Sequence, residues 1–156
     1  MDKFAVYKFP LGFLEIGYAG EKVFSLKKTE CFSGEGEKNS FTDAVFREIA
    51  EYFQGVRQKF TFPCELRGTE FQKKVWCELA KIPYGEIRTY KDVAIASGNP
   101  RAVRAVGHAN NKNPLCIVIP CHRVIGSNGK LVGYAGGLWM KEFLLKLESE
   151  NKASEE

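Results

Sequence analysis

The sequence predicts an α+β protein in two parts: an N-terminal antiparallel sheet with one helix, and a mostly helical, winged-helix-like C-terminal part. Three observations predict it. Apolar and polar residues alternate from residue 1 to about 32, the period of half-buried strands. From Thr69 onward, apolar residues recur at helical spacing behind recognisable caps. Between them, Cys64 to Gly68 carries neither pattern, which puts the parts at 1–66 and 67–150, with an acidic tail at 151–156. A chain of 156 residues that is 44% hydrophobic, with 12 Phe and 6 Tyr, has enough apolar surface for packed cores.

In the first part, Pro10-Leu11-Gly12 and Gly20-Glu21 punctuate two or three strands. Ser33 to Ser40 reads as a loop. Ser40 then caps a helix, with Asp43 at the third position and Ala44, Val45, Ile49 and Phe53 as its apolar stripe until Gly55. Gln58 to Pro63 reads as a last strand. In the second part Thr69 and Gln72 form a capping box, and Phe71, Val75, Trp76 and Leu79 are expected to face inward. Thr89 and Asp92 start a short helix that ends at Gly98. Asn99-Pro100 then reads as a cap with proline at the first helical position, opening a helix to about Ala109. Two short helices joined by a tight turn outline a helix-turn-helix. Leu115 to Cys121 reads as a short buried strand, and Leu138 to about Glu150 as a closing amphipathic helix.

Composition excludes several classes. No apolar run is long enough to span a bilayer, and the N-terminal residues lack the apolar core of a signal peptide. A cytoplasmic, monomeric protein without membrane contact is the expectation. Five cysteines at 31, 64, 77, 116 and 121 form no disulfide scaffold and no CxxC, and histidines occur only at 108 and 122, so no metal is expected. Cys77 and Cys116 read as core. Charge is unevenly placed: Lys81 to Lys130 holds eight basic residues against Glu86 and Asp92, a balance of +6 where the whole chain has +4. Such a segment suits a nucleic-acid backbone.

The second helix of the helix-turn-helix has small side chains between Arg101 and Arg104, with Ala105 and Gly107 beyond. Base reading in the major groove uses longer polar side chains. Small residues instead permit close, shallow approach to a minor groove, with Arg104 able to enter the base stack; the same segment also fits an ordinary core helix with surface arginines. Cys121, next to His122 and Arg123, has the surroundings that turn a thiol into a nucleophilic thiolate. On an extended strand adjacent side chains point to opposite faces. Either Pro120 breaks the strand or a water bridges sulfur and imidazole. Glu142, near the start of the last helix, is the candidate to orient the imidazole.

Ile119-Pro120-Cys121-His122-Arg123-Val124, with Asn113-Pro114 before and Gly133-Tyr134-Ala135-Gly136-Gly137 after, resembles the active-site region of O6-alkylguanine-DNA alkyltransferases. The likeness extends back through Tyr84-Gly85-Glu86, Thr89-Tyr90 and Gly98-Asn99-Pro100, and forward to Lys141-Glu142. It implies a single-use protein, without cofactor, that moves the alkyl group from O6 of guanine in double-stranded DNA onto Cys121. It implies His122 as a base acting through water, Glu142 as its orienter, and Asn113 as a backbone clamp. Tyr90 would donate a proton or a hydrogen bond to the guanine ring. Tyr134, Ala135 and Gly136 would wall the base pocket, with the carbonyls of Cys121 and Val124 receiving the exocyclic amine. Arg104 would fill the gap left by the extruded nucleotide, beside Arg101, Ala105, Gly107 and Arg123 on the DNA face.

Three rivals remain at the level of sequence. A non-enzymatic binder of alkylated DNA would lack the reactive cysteine. A cysteine hydrolase would usually draw its histidine from a distant segment. A transcription regulator with a thiol sensor would need a base-reading helix, which the small residues disfavour.

Overall fold

The computed structural model describes residues 1–30, 36–129 and 137–154. It divides into two compact units, Met1–Arg67 and Gly68–Glu156.

The first unit is a three-stranded antiparallel meander, β1 (Lys3–Phe9), β2 (Gly12–Ala19) and β3 (Lys22–Thr29), packed with helix α1 (Ser40–Phe53). Alternation places Ala5, Leu14, Ile16, Val23 and Leu26 inside, where Val45, Ile49 and Tyr52 of α1 join them. The Tyr7 ring stacks on Phe46 at 4.5 Å, and its hydroxyl donates to Asp43 at 2.6 Å. That bond commits Asp43, and the cap falls one residue earlier than expected. Asn39 accepts from the Thr42 N–H at 2.8 Å, and Thr42 Oγ1 accepts from the Asn39 N–H at 2.9 Å. Gln58 to Pro63 is not a strand. Both the N–H and the hydroxyl of Thr61 go to the Glu48 carboxylate, at 2.7 and 2.6 Å, so side chains replace a ladder there. Just past it, Cys64 forms an isolated bridge with Val23.

The second unit contains α2 (Glu70–Leu79), β4 (Arg88–Thr89), α3 (Tyr90–Ala96), α4 (Val103–Asn111), a 3₁₀ turn at Cys121–Arg123, β5 (Val124–Ile125) and α5 (Leu138–Ser154). The capping boxes of α2 (Thr69 with Gln72) and α3 (Thr89 with Asp92) are both present. Phe71 departs from expectation: it is exposed, while Val75, Trp76 and Leu79 are buried. Cys77 is exposed as well. A side chain at Gly68 would strike the Trp76 ring at 2.6 Å, so the tryptophan requires glycine there.

Helix α4 begins three residues later than the Asn99-Pro100 signal suggested. The Asn99 side chain accepts the Arg101 N–H and its carbonyl accepts the Ala102 N–H, both at 3.0 Å, so this segment is a turn with proline inside it. Helices α2, α3 and α4 pack together, and the two-residue parallel pair β4–β5 sets Arg88 against Val124 and Thr89 against Ile125. No helix among the described residues is long and apolar enough to cross a membrane.

Candidate active site

The segment from Leu115 to Cys121 is not a strand but a sequence of turns. Asn113 shapes it: Oδ1 accepts the Leu115 N–H at 2.9 Å and Nδ2 donates to the Ile119 carbonyl at 2.8 Å. Local bonds from Ile119 N to the Leu115 carbonyl (2.9 Å) and from Cys121 N to the Ile119 carbonyl (2.7 Å) then satisfy backbone groups a strand would pair elsewhere. Bending the chain this tightly leaves Ile117 at φ +73°, a left-handed conformation costing a β-branched residue about 1–3 kcal/mol. Pro120 leads into the 3₁₀ turn, and the opposite-face problem for Cys121 and His122 disappears because this is no extended chain.

Cys121 is 5% exposed and His122 fully buried. The imidazole Nε2 lies 2.6 Å from Glu148 Oε2. Glu142 therefore does not orient the histidine. It is exposed, and six positions before Glu148 on a helix of 3.6 residues per turn it points about 120° away from that carboxylate. The inward stripe of α5 is Met140, Lys141, Leu144 and Glu148. A helical wheel shows both charged residues on an otherwise apolar face, which is the signal that identifies them.

Arg123 also departs from expectation. Instead of facing DNA it is buried and forks onto the same carboxylate, Nε to Oε1 at 2.7 Å and Nη2 to Oε2 at 2.9 Å. Its remaining arm donates to the Ile82 carbonyl at 2.6 Å, and Glu148 further accepts the Gly85 N–H at 3.2 Å.

Burial by itself would raise the Glu148 pKa. The hydrogen bonds from His122 and Arg123 outweigh it and hold the carboxyl far below the usual carboxylate range. Burial pushes the His122 pKa down, against the pull of Glu148, with Arg123 and Lys141 adding to the depression. The imidazole is thus neutral, with Nε2 donating to an ionised carboxylate, and the lone pair falls to Nδ1. Nδ1 has no hydrogen-bond partner among the described residues. Nδ1 is the ring atom left to accept a hydrogen bond.

Lys141 is fully buried, with its ammonium 5.8 Å from the Tyr90 ring centroid. Burial lowers its pKa to about 8, opposed by attraction to a Cys121 anion. Tyr90, the first residue of α3, is buried too; burial and the Cys121 charge raise its pKa, so it stays a hydrogen-bond donor at neutral pH. A sulfur anion at Cys121 is therefore met by a buried cation, and a phenol O–H lies in the same field. Val124 is fully buried directly after the turn.

On α4, Val106, Ala109 and Asn110 face the core, while Arg101, Arg104, Ala105 and His108 are exposed. Neither Arg101 nor Arg104 has a side-chain ion pair among the described residues. A Cβ at Gly107 would meet nothing within 4 Å among the described residues, so their packing does not require glycine there. Tyr134, Ala135 and Gly136 lie outside the described residues. No group of three or more His, Cys, Asp or Glu that could hold a metal occurs among the described residues.

Residues 70–150 match the DNA-binding domain of 6-O-methylguanine DNA methyltransferase, and residues 3–66 its ribonuclease-like domain. The methylated-DNA–protein-cysteine methyltransferase of Methanosarcina barkeri is 56% identical over 115 residues, 74% of this chain and 73% of that protein. That of Methanosarcina acetivorans is 54% identical over 122 residues, 78% of each. The crystal structure of Mycobacterium tuberculosis O6-methylguanine methyltransferase superposes with a TM-score of 0.88 at 39% identity, covering 97% of this chain and 94% of that one. The Mycobacterium tuberculosis OGT structure in complex with DNA gives 0.88 at 41% identity, over 95% and 93%. Matched at both domains and across the turn that carries Cys121, the chain belongs to the 6-O-methylguanine DNA methyltransferase family.

Proposed function

We propose that this chain repairs double-stranded DNA by moving the alkyl group of O6-alkylguanine onto the sulfur of Cys121, once per molecule. The observation that carries this is the buried His122, whose Nε2 is tied to Glu148 and whose Nδ1 has no hydrogen-bond partner among the described residues. The Cys121 proton passes to Nδ1 through a water. The imidazolium that forms is stabilised by Glu148, itself neutralised by Arg123. Sulfur then attacks the saturated carbon on O6. The S–C bond forms as the C–O bond breaks, and the electron pair moves into the purine, where Tyr90 donates a hydrogen bond to the developing charge. Lys141 holds the thiolate before attack.

The thioether product has no good leaving group, so the sulfur is consumed and no cofactor is needed. Chemistry at O6 requires the base to leave the stack, at a cost of a few kcal/mol that is smaller for a damaged pair. The exposed face of α4 fits that task. Its small residues allow close approach to the minor groove, and Arg104 takes the place of the everted nucleotide. Tyr134, Ala135 and Gly136 are assigned to the base pocket by family resemblance alone. A monomer in the cytoplasm suits a protein that acts through one thiol kept reduced.

Mass spectrometry after incubation with a duplex containing O6-methylguanine tests the reading. One added CH₂ unit on the peptide containing Cys121 is expected, with Cys121→Ala binding DNA but accepting nothing. Continued turnover past one equivalent overturns it. Arg104→Ala should slow repair of the duplex far more than reaction with the free base, and equal losses would remove the flipping role.

A further inference from the structure

Asn110 lies in the last turn of α4 with 1% of its surface exposed, and neither its Oδ1 nor its Nδ2 has a hydrogen-bond partner among the described residues. A carboxamide offers two donor hydrogens and two acceptor lone pairs. Leaving all of them unmet in an interior is costly, and folded proteins seldom do so without a reason. The rest of the inward face of α4 is apolar, Val106 and Ala109, and a leucine or methionine at 110 would complete it.

The position is firmly held and linked by hydrogen bonds to the turn that carries the sulfur. The Ala109 carbonyl accepts the Trp76 indole N–H at 2.8 Å, which fixes this turn against α2. The Asn110 carbonyl accepts the Asn113 N–H at 3.3 Å; Asn113 in turn holds the Ile119 carbonyl, which also accepts the Cys121 N–H. Three short links thus connect the main chain of Asn110 to that of Cys121.

We propose that Asn110 is a substrate-contacting residue, whose carboxamide hydrogen-bonds the edge of the everted alkylpurine presented to Cys121. An O6-alkylated guanine has ring nitrogens that accept and an exocyclic amine that donates, and an amide answers both. The polar groups left unmet within the protein are met in the complex, so their cost in the free state becomes selectivity for a purine. This rests on the alkyl-transfer reading above.

Asn110→Leu, which keeps the branched shape and the number of side-chain heavy atoms but has no polar atoms, tests it in the full-length protein. Single-turnover methyl transfer from an O6-methylguanine duplex is measured beside wild type, with affinity for undamaged duplex, melting temperature and the rate of iodoacetamide capture of Cys121. The expected result is a melting temperature equal to or above wild type, unchanged binding to undamaged DNA and unchanged thiol capture, with transfer at least tenfold slower. Transfer within twofold of wild type overturns the assignment. So does a lowered melting temperature with transfer unchanged, which would mark a structural site. If the leucine variant fails to fold, Asn110→Ser and Asn110→Ala are compared by the same measures: serine retaining more activity than alanine supports the contact, and equality refutes it. Failure of wild type to accept the methyl group would instead reject the alkyl-transfer reading, which sets the two failures apart.

Discussion

The two units of this protein bury different things. Among the described residues of the first unit the only buried polar side chain apart from the tyrosines is Thr42, satisfied at once by the Tyr7 hydroxyl at 2.8 Å; the remainder is Ala, Val, Ile, Leu and aromatic rings. The second unit buries His122, Arg123, Lys141 and Glu148, together with Asn110 and Ser97. Apolar interiors stabilise in proportion to the area removed from water. Buried ionic groups recover their desolvation cost only through geometry, and replacing such a network with hydrocarbon is often neutral or stabilising. The contrast teaches which unit does chemistry: ionisable groups with displaced pKa values gather where a reaction needs them.

The sharpest way to break this comparison is Glu148→Gln. It leaves Arg123 buried without its counter-ion and should destabilise by about 3–5 kcal/mol, as well as abolishing transfer. Glu142→Gln, exposed on the same helix, should stay within about 0.5 kcal/mol and react normally. In the first unit, Ile49→Ala should cost about 2–5 kcal/mol through the cavity it leaves, with each folded molecule still accepting one methyl group. Denaturant unfolding and stoichiometric transfer check all three. If Glu142→Gln, not Glu148→Gln, lost the reaction, the assignment of the imidazole's partner would be wrong.

Acid should act selectively on the second unit. The folded His122 has a pKa below its ordinary 6.5, so the unfolded chain binds more protons as pH falls past that value, and stability drops. The folded Glu148 lies below its ordinary 4.5, so its contribution is present above that pH and is lost as pH falls further. Both signs agree. Unfolding free energy should decline from pH 6.5 downward, and His122→Phe should flatten the upper part of that decline. An unchanged slope would mean the histidine is not held neutral by burial.

The smallest expected effect concerns Gly107. Alanine there should stabilise α4 by up to about 1 kcal/mol, since glycine weakens helix interiors and the added methyl meets open space. The same methyl should weaken binding to duplex DNA by obstructing close approach. Stabilisation without any loss of DNA affinity would remove α4 from the interface.

Much of this was legible in the chain. The capping boxes of Thr69 with Gln72 and Thr89 with Asp92 are local hydrogen-bond patterns, decided within four residues. The three-stranded meander followed from alternation between turn residues. Local signals misled where two caps competed: Asn39 prevailed over Ser40 because Asp43 was drawn off by Tyr7, which lies more than thirty positions away. Apolar composition at Leu115 to Ile119 suggested a strand because nothing in it announces that the Asn113 side chain would claim both of its ends.

The order of residues alone is enough to establish that the protein has two parts, that one carries a helix with a small-residue face, and that Cys121 stands beside a histidine. Helical periodicity could group Lys141 with Glu148, but not say which face of α5 would turn inward or what it would meet. It took the folded arrangement to reveal that Glu148, not Glu142, closes on His122, and that Arg123 turns inward to the same carboxylate. The reason is physical: caps and alternation are settled between neighbours in the chain, whereas the partner of a buried charge is settled by whichever distant group packing brings within hydrogen-bond reach.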